Sequence, residues 1–185
     1  MTERRTVVLV DEQGNVQGSA PKLEAHRPPG RLHLAFSVFL FRPDGRVLLQ
    51  RRAEDKYHFP GVWANACCSH PGPGEDLVRS AQDRLVEELG LRCRLDRVGA
   101  FVYRAECPTS GLVEHELDHV LVGVTEATPS PDPAEVADTC WADAGLLAAG
   151  EAPVGGDLLA PWLLPALALA RAGHGDGTGA ASGRG

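Results

Sequence analysis

A helix with a sharply defined end constrains this chain most. Leu77, Ala81, Leu85 and Leu89 recur every four residues, so 75–89 carries one apolar stripe and Gly90 closes it. That stripe needs a surface to cover, and the flanking sequence offers a sheet. Thr6–Val10, the turn-like DEQGN and a second short extended piece read as a hairpin. Ala25 to Arg31 reads as a loop, and Leu32–Phe41 as a strongly apolar strand. A turn at 42–45 then returns the chain through a strand at Arg46–Gln50. Beyond the helix, Leu95–Tyr103, Leu112–Thr125 and a short piece at Thr139–Trp141 read as strands, and Leu158–Arg171 as a final helix. The expected fold is α+β, a mixed sheet flanked by helices as an α/β/α sandwich. It forms a single domain over 1–172, with a Gly/Ala/Ser-rich tail at 173–185 expected to be disordered.

Composition narrows the class of function. A net charge of −7 argues against a general nucleic-acid binder, which would need a basic footprint. Five cysteines, two of them adjacent (Cys67, Cys68), do not form a secreted disulfide framework. The apolar run 158–172 is broken by Pro161 and Pro165 and is too short to span a bilayer. A cytoplasmic protein without membrane or nucleic-acid partners, working as a monomer, is expected.

Chemistry gathers in the segment between the strands and the helix. Residues 51–73 read as one long loop, and long loops in compact domains usually carry function. Within it PGVWANACCSH places a thiol and an imidazole two residues apart, Cys68 and His70. The helix then ends in two carboxylates, Glu87 and Glu88, where negative charge is electrostatically unfavourable and gains nothing structural. On a strand, Glu114 and Glu116 project from the same face, whereas His115 and His119 have the opposite parity.

The helix resembles a Nudix box, the metal- and diphosphate-handling segment of Nudix hydrolases, with Glu75, Leu85, Glu87, Glu88, Gly90 and Leu91 fitting the pattern. Three positions depart. Ser69 replaces the leading glycine, Asp83 the arginine, and Arg84 the first catalytic glutamate. A guanidinium in place of a carboxylate removes a metal ligand and adds a phosphate fork, which favours holding a diphosphate over splitting it. Together with LHLAFSVFLF (32–41), RRAEDK (51–56), PGVWANACCSH (60–70), GLVEHE (111–116) and APWLL (160–164), the chain resembles the type 1 isopentenyl-diphosphate isomerases over roughly residues 5–170.

The resemblance implies a Nudix-like fold and a set of roles. A divalent transition ion, manganese or zinc, would sit among His26, His33, His70, Glu114 and Glu116, a donor set suited to such an ion. Cys68 and Glu116 would move protons, with Tyr103 hydrogen-bonding the glutamate. The π face of Trp162 would stabilise a carbocation. Lys22, Arg52, Lys56 and Arg84 would grip the diphosphate of a prenyl substrate, with Arg51 as a further neighbouring candidate. Glu88 would hold a magnesium ion bridging the diphosphate oxygens. The competing activity is diphosphate hydrolysis. His58 is expected at the surface or in a loop, His174 in the tail, Trp63, Trp141 and Cys67 in the core.

Overall fold

The computed structural model describes residues 6–154 and 156–178. Nine strands form one mixed sheet: β1 (Thr6–Val10), β2 (Val16–Pro21), β3 (His33–Phe41), β4 (Arg46–Arg52), β5 (Trp63–Asn65), β6 (Cys67–Ser69), β7 (Asp96–Glu106), β8 (Val113–Val124) and β9 (Val136–Asp143). Four helices accompany them: α1 (Lys22–His26), α2 (Leu77–Leu89), α3 (Ala144–Ala148) and α4 (Leu163–Thr178).

Strand β3 is the hub. It runs parallel to β8 along its whole length, while its other edge meets β1 at His33, β6 at 36–38 and β4 at Phe41. Both faces of β3 are buried, which explains why its sequence is almost continuously apolar rather than alternating. Phe36, Val38 and Leu40 pack with Ala81, Leu85 and Leu89 of α2. Phe39 and Phe41 pack with Leu163, Ala166 and Leu167 of α4 on the opposite face. The sheet is therefore the middle layer of a sandwich.

Helix α2 begins where the Asp76 carboxylate accepts the Arg79 amide at 2.8 Å. It ends at Gly90, whose φ of 65° is the left-handed conformation that a C-terminal glycine accommodates.

The structure differs from the sequence expectations in four places. Residues 25 and 26 belong to α1 rather than a loop, because Pro21 sets up a five-residue helix too short to show periodicity. The stretch 51–73 is not structureless: β4 runs on to Arg52, and β5 and β6 are three-residue strands docked on β4 and β3. The sequence pattern also gives no expectation of α3, a single turn capped by Asp143. Finally, α4 continues through Thr178, so 173–178 are helical; 179–185 lie outside the described residues.

Two side chains change place accordingly. His174 stacks on Phe41, with ring centroids 4.3 Å apart and planes 5° from parallel. Trp141 is half-buried at the margin of the α2 core, under the Arg42 guanidinium at 4.3 Å, whereas Trp63 is fully buried. Gly173 explains how α4 sits so close to the sheet: a Cβ there would lie 2.3 Å from Val98 Cγ1. Gly173→Ala should therefore destabilise by about 1–2 kcal/mol, overpacking outweighing the gain in helix propensity. A thermal melt should show a fall of several degrees in Tm; a clear rise would mean that this helix end does not seat on β7.

Candidate active site

Register assembles the site. His33 on β3, Glu116 on β8 and Tyr103 on β7 are directly paired, forming one row across three strands. Glu114 lies two residues up the same face of β8, and α1 brings His26 over it. His70 follows β6, which pairs antiparallel with β3 so that Cys68 stands opposite Ser37.

The five groups His26, His33, His70, Glu114 and Glu116 are all buried, and one ligand atom from each lies within 4.8 Å of the others. His70 Nε2 is 2.7 Å from Glu116 Oε1, and His26 Nε2 is 3.1 Å from Glu114 Oε2. The Nδ1 atoms of His26 and His33 each donate to a backbone carbonyl at 2.7 Å, of Lys22 and Arg31 respectively. Those bonds fix the tautomer and aim both Nε2 lone pairs into the cluster. His33 Nε2 is buried without a hydrogen-bond partner, the state of an atom shaped to bind a cation. The residues fit a divalent ion.

The open cleft beside this cluster has a volume of about 610 Å³, its solvent mouth included. Cys68, Tyr103, Glu116 and Trp162 line it together with Lys22, Arg52, Lys56, Arg84 and Glu88. Cys67 points away, fully buried against α2. The Tyr103 hydroxyl donates to Glu116 Oε2 at 2.6 Å. Trp162 donates its indole N–H to Asn65 Oδ1 at 3.1 Å and packs edge-on against Phe59. The Arg52 guanidinium donates to the carbonyls of His58 and Phe59, approaches Cys68 Sγ at 3.7 Å and lies 5.8 Å from the Trp162 ring centre. Arg51 instead pairs with Glu54 at the surface.

Protonation states follow from the surroundings. Burial pushes the Cys68 thiol up to about 12, with Arg52 offsetting only part of the effect. Burial would also raise Glu116, but its close neighbours His33, Glu114 and Tyr103 outweigh it and hold that carboxyl at about 2. Burial, reinforced by His33, pulls His70 well below the usual imidazole range, so it is a neutral donor.

Several participants escape sequence reading. His58 is not at the surface: it is buried, its ring 4.4 Å from that of His26 and its Nδ1 3.3 Å from Glu114 Oε1. Burial drives its pKa down to about 3. Asp118, fully buried, accepts from Ser37 Oγ at 2.8 Å; burial and Glu116 raise its carboxyl well above the ordinary range. Its parity with Glu114 and Glu116 was the available signal. Gln50 and Asn65, which brace Glu88 and Trp162, and Glu135, which joins Lys56 and Arg84, carried none, since their partners lie tens of residues away.

A buried sheet-mounted ligand cluster opening on a basic cleft under an α2-type helix defines a Nudix protein, and the NUDIX domain model matches residues 31–163. Within that class the chain belongs to the isopentenyl-diphosphate Delta-isomerase family. It is 50% identical over 176 residues to the isopentenyl-diphosphate Delta-isomerase of Nocardia farcinica, covering 94% of this chain and 98% of that one. It is 47% identical over 176 residues to that of Streptomyces griseus, covering 95% and 88%. Among solved structures, a Deinococcus radiodurans protein superposes with a TM-score of 0.71 at 19% identity, over 89% of this chain and 98% of that one; it shares the fold.

The thiol assignment is open to direct measurement. In metal-free protein, alkylation at Cys68, read by peptide mapping, should climb about tenfold per pH unit from pH 8 to 11, because a thiol held near 12 stays protonated throughout. A plateau below pH 9 would show an ordinary or activated thiol instead.

Proposed function

We infer that this protein interconverts isopentenyl and dimethylallyl diphosphate, a reading supported by relatives named isopentenyl-diphosphate Delta-isomerase. The observation that carries this reading is that Cys68 and the Tyr103-bound Glu116 line one cleft, with Trp162 beside them and a cationic clamp in the same cavity. Moving the double bond requires a proton added to the terminal alkene carbon, a tertiary cation, and a proton removed from the allylic carbon. One of the two groups gives and the other takes. The resting polarity is a protonated sulfur and an ionised carboxylate, which is a matched donor–acceptor pair. Each turnover transfers the pair's proton from one group to the other, so reset requires solvent exchange or the reverse reaction. Trp162 offers its ring to the cation, and its N–H bond to Asn65 fixes that ring in place.

Lys22, Lys56 and Arg84 hold the diphosphate in this reading, and Arg52 joins them from its position beside Cys68. A manganese or zinc ion among His26, His33, His70, Glu114 and Glu116 would supply positive charge and fix Glu116. Glu88 would hold a magnesium ion, which would supply positive charge to offset the diphosphate. Hydrolysis is disfavoured because Arg84 replaces a carboxylate and is itself held by Glu87 and Glu88. We also propose that the chain works as a cytoplasmic monomer without nucleic-acid partners. The net charge of −7 supports the lack of nucleic-acid partners, and no helix among the described residues is long and apolar enough to cross a membrane.

Cys68→Ala and Glu116→Gln should each lower turnover by roughly 10²–10⁴-fold while substrate binding survives. Cys67→Ala should leave turnover near wild type; if it is the more damaging cysteine change, the roles of the pair are reversed. Incubation with isopentenyl diphosphate in deuterated water, followed by NMR, should show deuterium in the allylic product with no phosphate released. Chelation should abolish turnover, and metal analysis should find about one transition ion per chain.

A further inference from the structure

Glu135 sits at the turn before β9, outside every segment with a recognisable pattern. Its backbone is clipped in place: its N–H donates to Asp132 O at 2.9 Å, and its carbonyl accepts from Ala53 at 3.1 Å. Its side chain, 13% exposed, reaches into the cleft. There one oxygen, Oε2, accepts both from Lys56 Nζ and from Arg84 Nη2, the latter at 2.6 Å. A single oxygen held between an ammonium and a guanidinium is the arrangement those two residues would make around a phosphate oxygen.

Arg84 is shared further. Its Nε donates to Glu88 Oε1 at 2.6 Å and its Nη1 to the half-exposed Glu87 at 3.0 Å. The two buried carboxylates, Glu88 and Glu135, thus already balance both cations before any ligand arrives, with the half-exposed Glu87 on the solvent side. A diphosphate cannot simply add itself to such a cluster. Either a carboxylate must leave the cations or a divalent ion must enter with the ligand.

We propose that Glu135 is an internal stand-in for the substrate's phosphate: it occupies the Lys56/Arg84 clamp in the resting protein and is displaced when a diphosphate binds. This deepens the diphosphate reading of the cleft and rests on it. Glu135 keeps two cations paired and ordered while the cleft is empty. Once displaced, it lies beside Glu88 and the incoming oxygens, where a second carboxylate makes a divalent cation necessary for tight binding. Glu135 is on this account a positioning residue that sets the magnesium requirement; it touches no reacting carbon.

Calorimetric titration of the purified protein with inorganic pyrophosphate, with and without magnesium, tests this. Wild type should bind far more tightly with magnesium. Glu135→Gln, which keeps the shape and removes the charge, should bind magnesium-free pyrophosphate roughly tenfold more tightly than wild type, and its gain from added magnesium should shrink by a similar factor. Glu87→Gln removes a carboxylate from the same guanidinium on its solvent side and should change neither quantity more than about twofold. If Glu135→Gln melts early, Glu135→Ala should give the same shift in the magnesium-free affinity. A purely structural ion pair predicts unchanged or weaker binding in both variants, and that result overturns the proposal alone. Failure of the wild type to bind pyrophosphate even with magnesium would overturn the diphosphate reading and this proposal with it.

Discussion

Two glutamates buried in the middle of a sheet are the burden around which this protein is organised. Glu114 and Glu116 are each 6% exposed on a strand with neighbours on both sides. An unpaired carboxylate in that position costs several kcal/mol, so the fold must bring positive or donating groups to them. It does so from three directions. Strand β3 starts with His33 in register with Glu116, β7 presents Tyr103 from the other side, and α1 folds back over the sheet to seat His26 against Glu114. The parallel β3–β8 pairing therefore creates the site as well as the core. A one-residue slip of β8 would turn both glutamates toward α2 and destroy both.

The same alternation separates chemistry from packing along β6. Cys67 enters the α2 core and Cys68 faces the cleft, because neighbours on a strand point to opposite faces. That pair was readable in the sequence once 67–69 was taken as extended. The parity of Glu114 and Glu116, the apolar stripe and glycine stop of α2, and the strongly apolar β3 were readable because each is a local pattern in the chain. What was not readable depends on distance in the chain. His58 resembles a loop histidine until β4 and β5 fold its segment against His26, and Glu135 acquires its meaning from Lys56 and Arg84, 79 and 51 residues away. The last turns of α4 were hidden by composition. Glycines weaken a helix in isolation, yet Gly173 is the residue that lets this helix approach Val98.

Helix α2 shows how little has to change for a diphosphate-handling helix to serve a different chemistry. Its stripe of Leu77, Ala81, Leu85 and Leu89 does the packing, and its other face offers Arg84 and Glu88 to the cleft. A carboxylate at position 84 would stand beside Glu88 and Glu135 with no nearby cation except Lys56, an arrangement that calls for several metal ions. The guanidinium instead satisfies both glutamates directly. On the proposed reading, activation of water for attack on phosphorus would lose its ligands, while the anion would retain a fork to rest on. Reaction, on the same reading, depends on the groups that share that cleft. These are a protonated sulfur, an ionised carboxylate and an indole, none of which is suited to cleaving a phosphoanhydride and all of which would suit a passing carbocation.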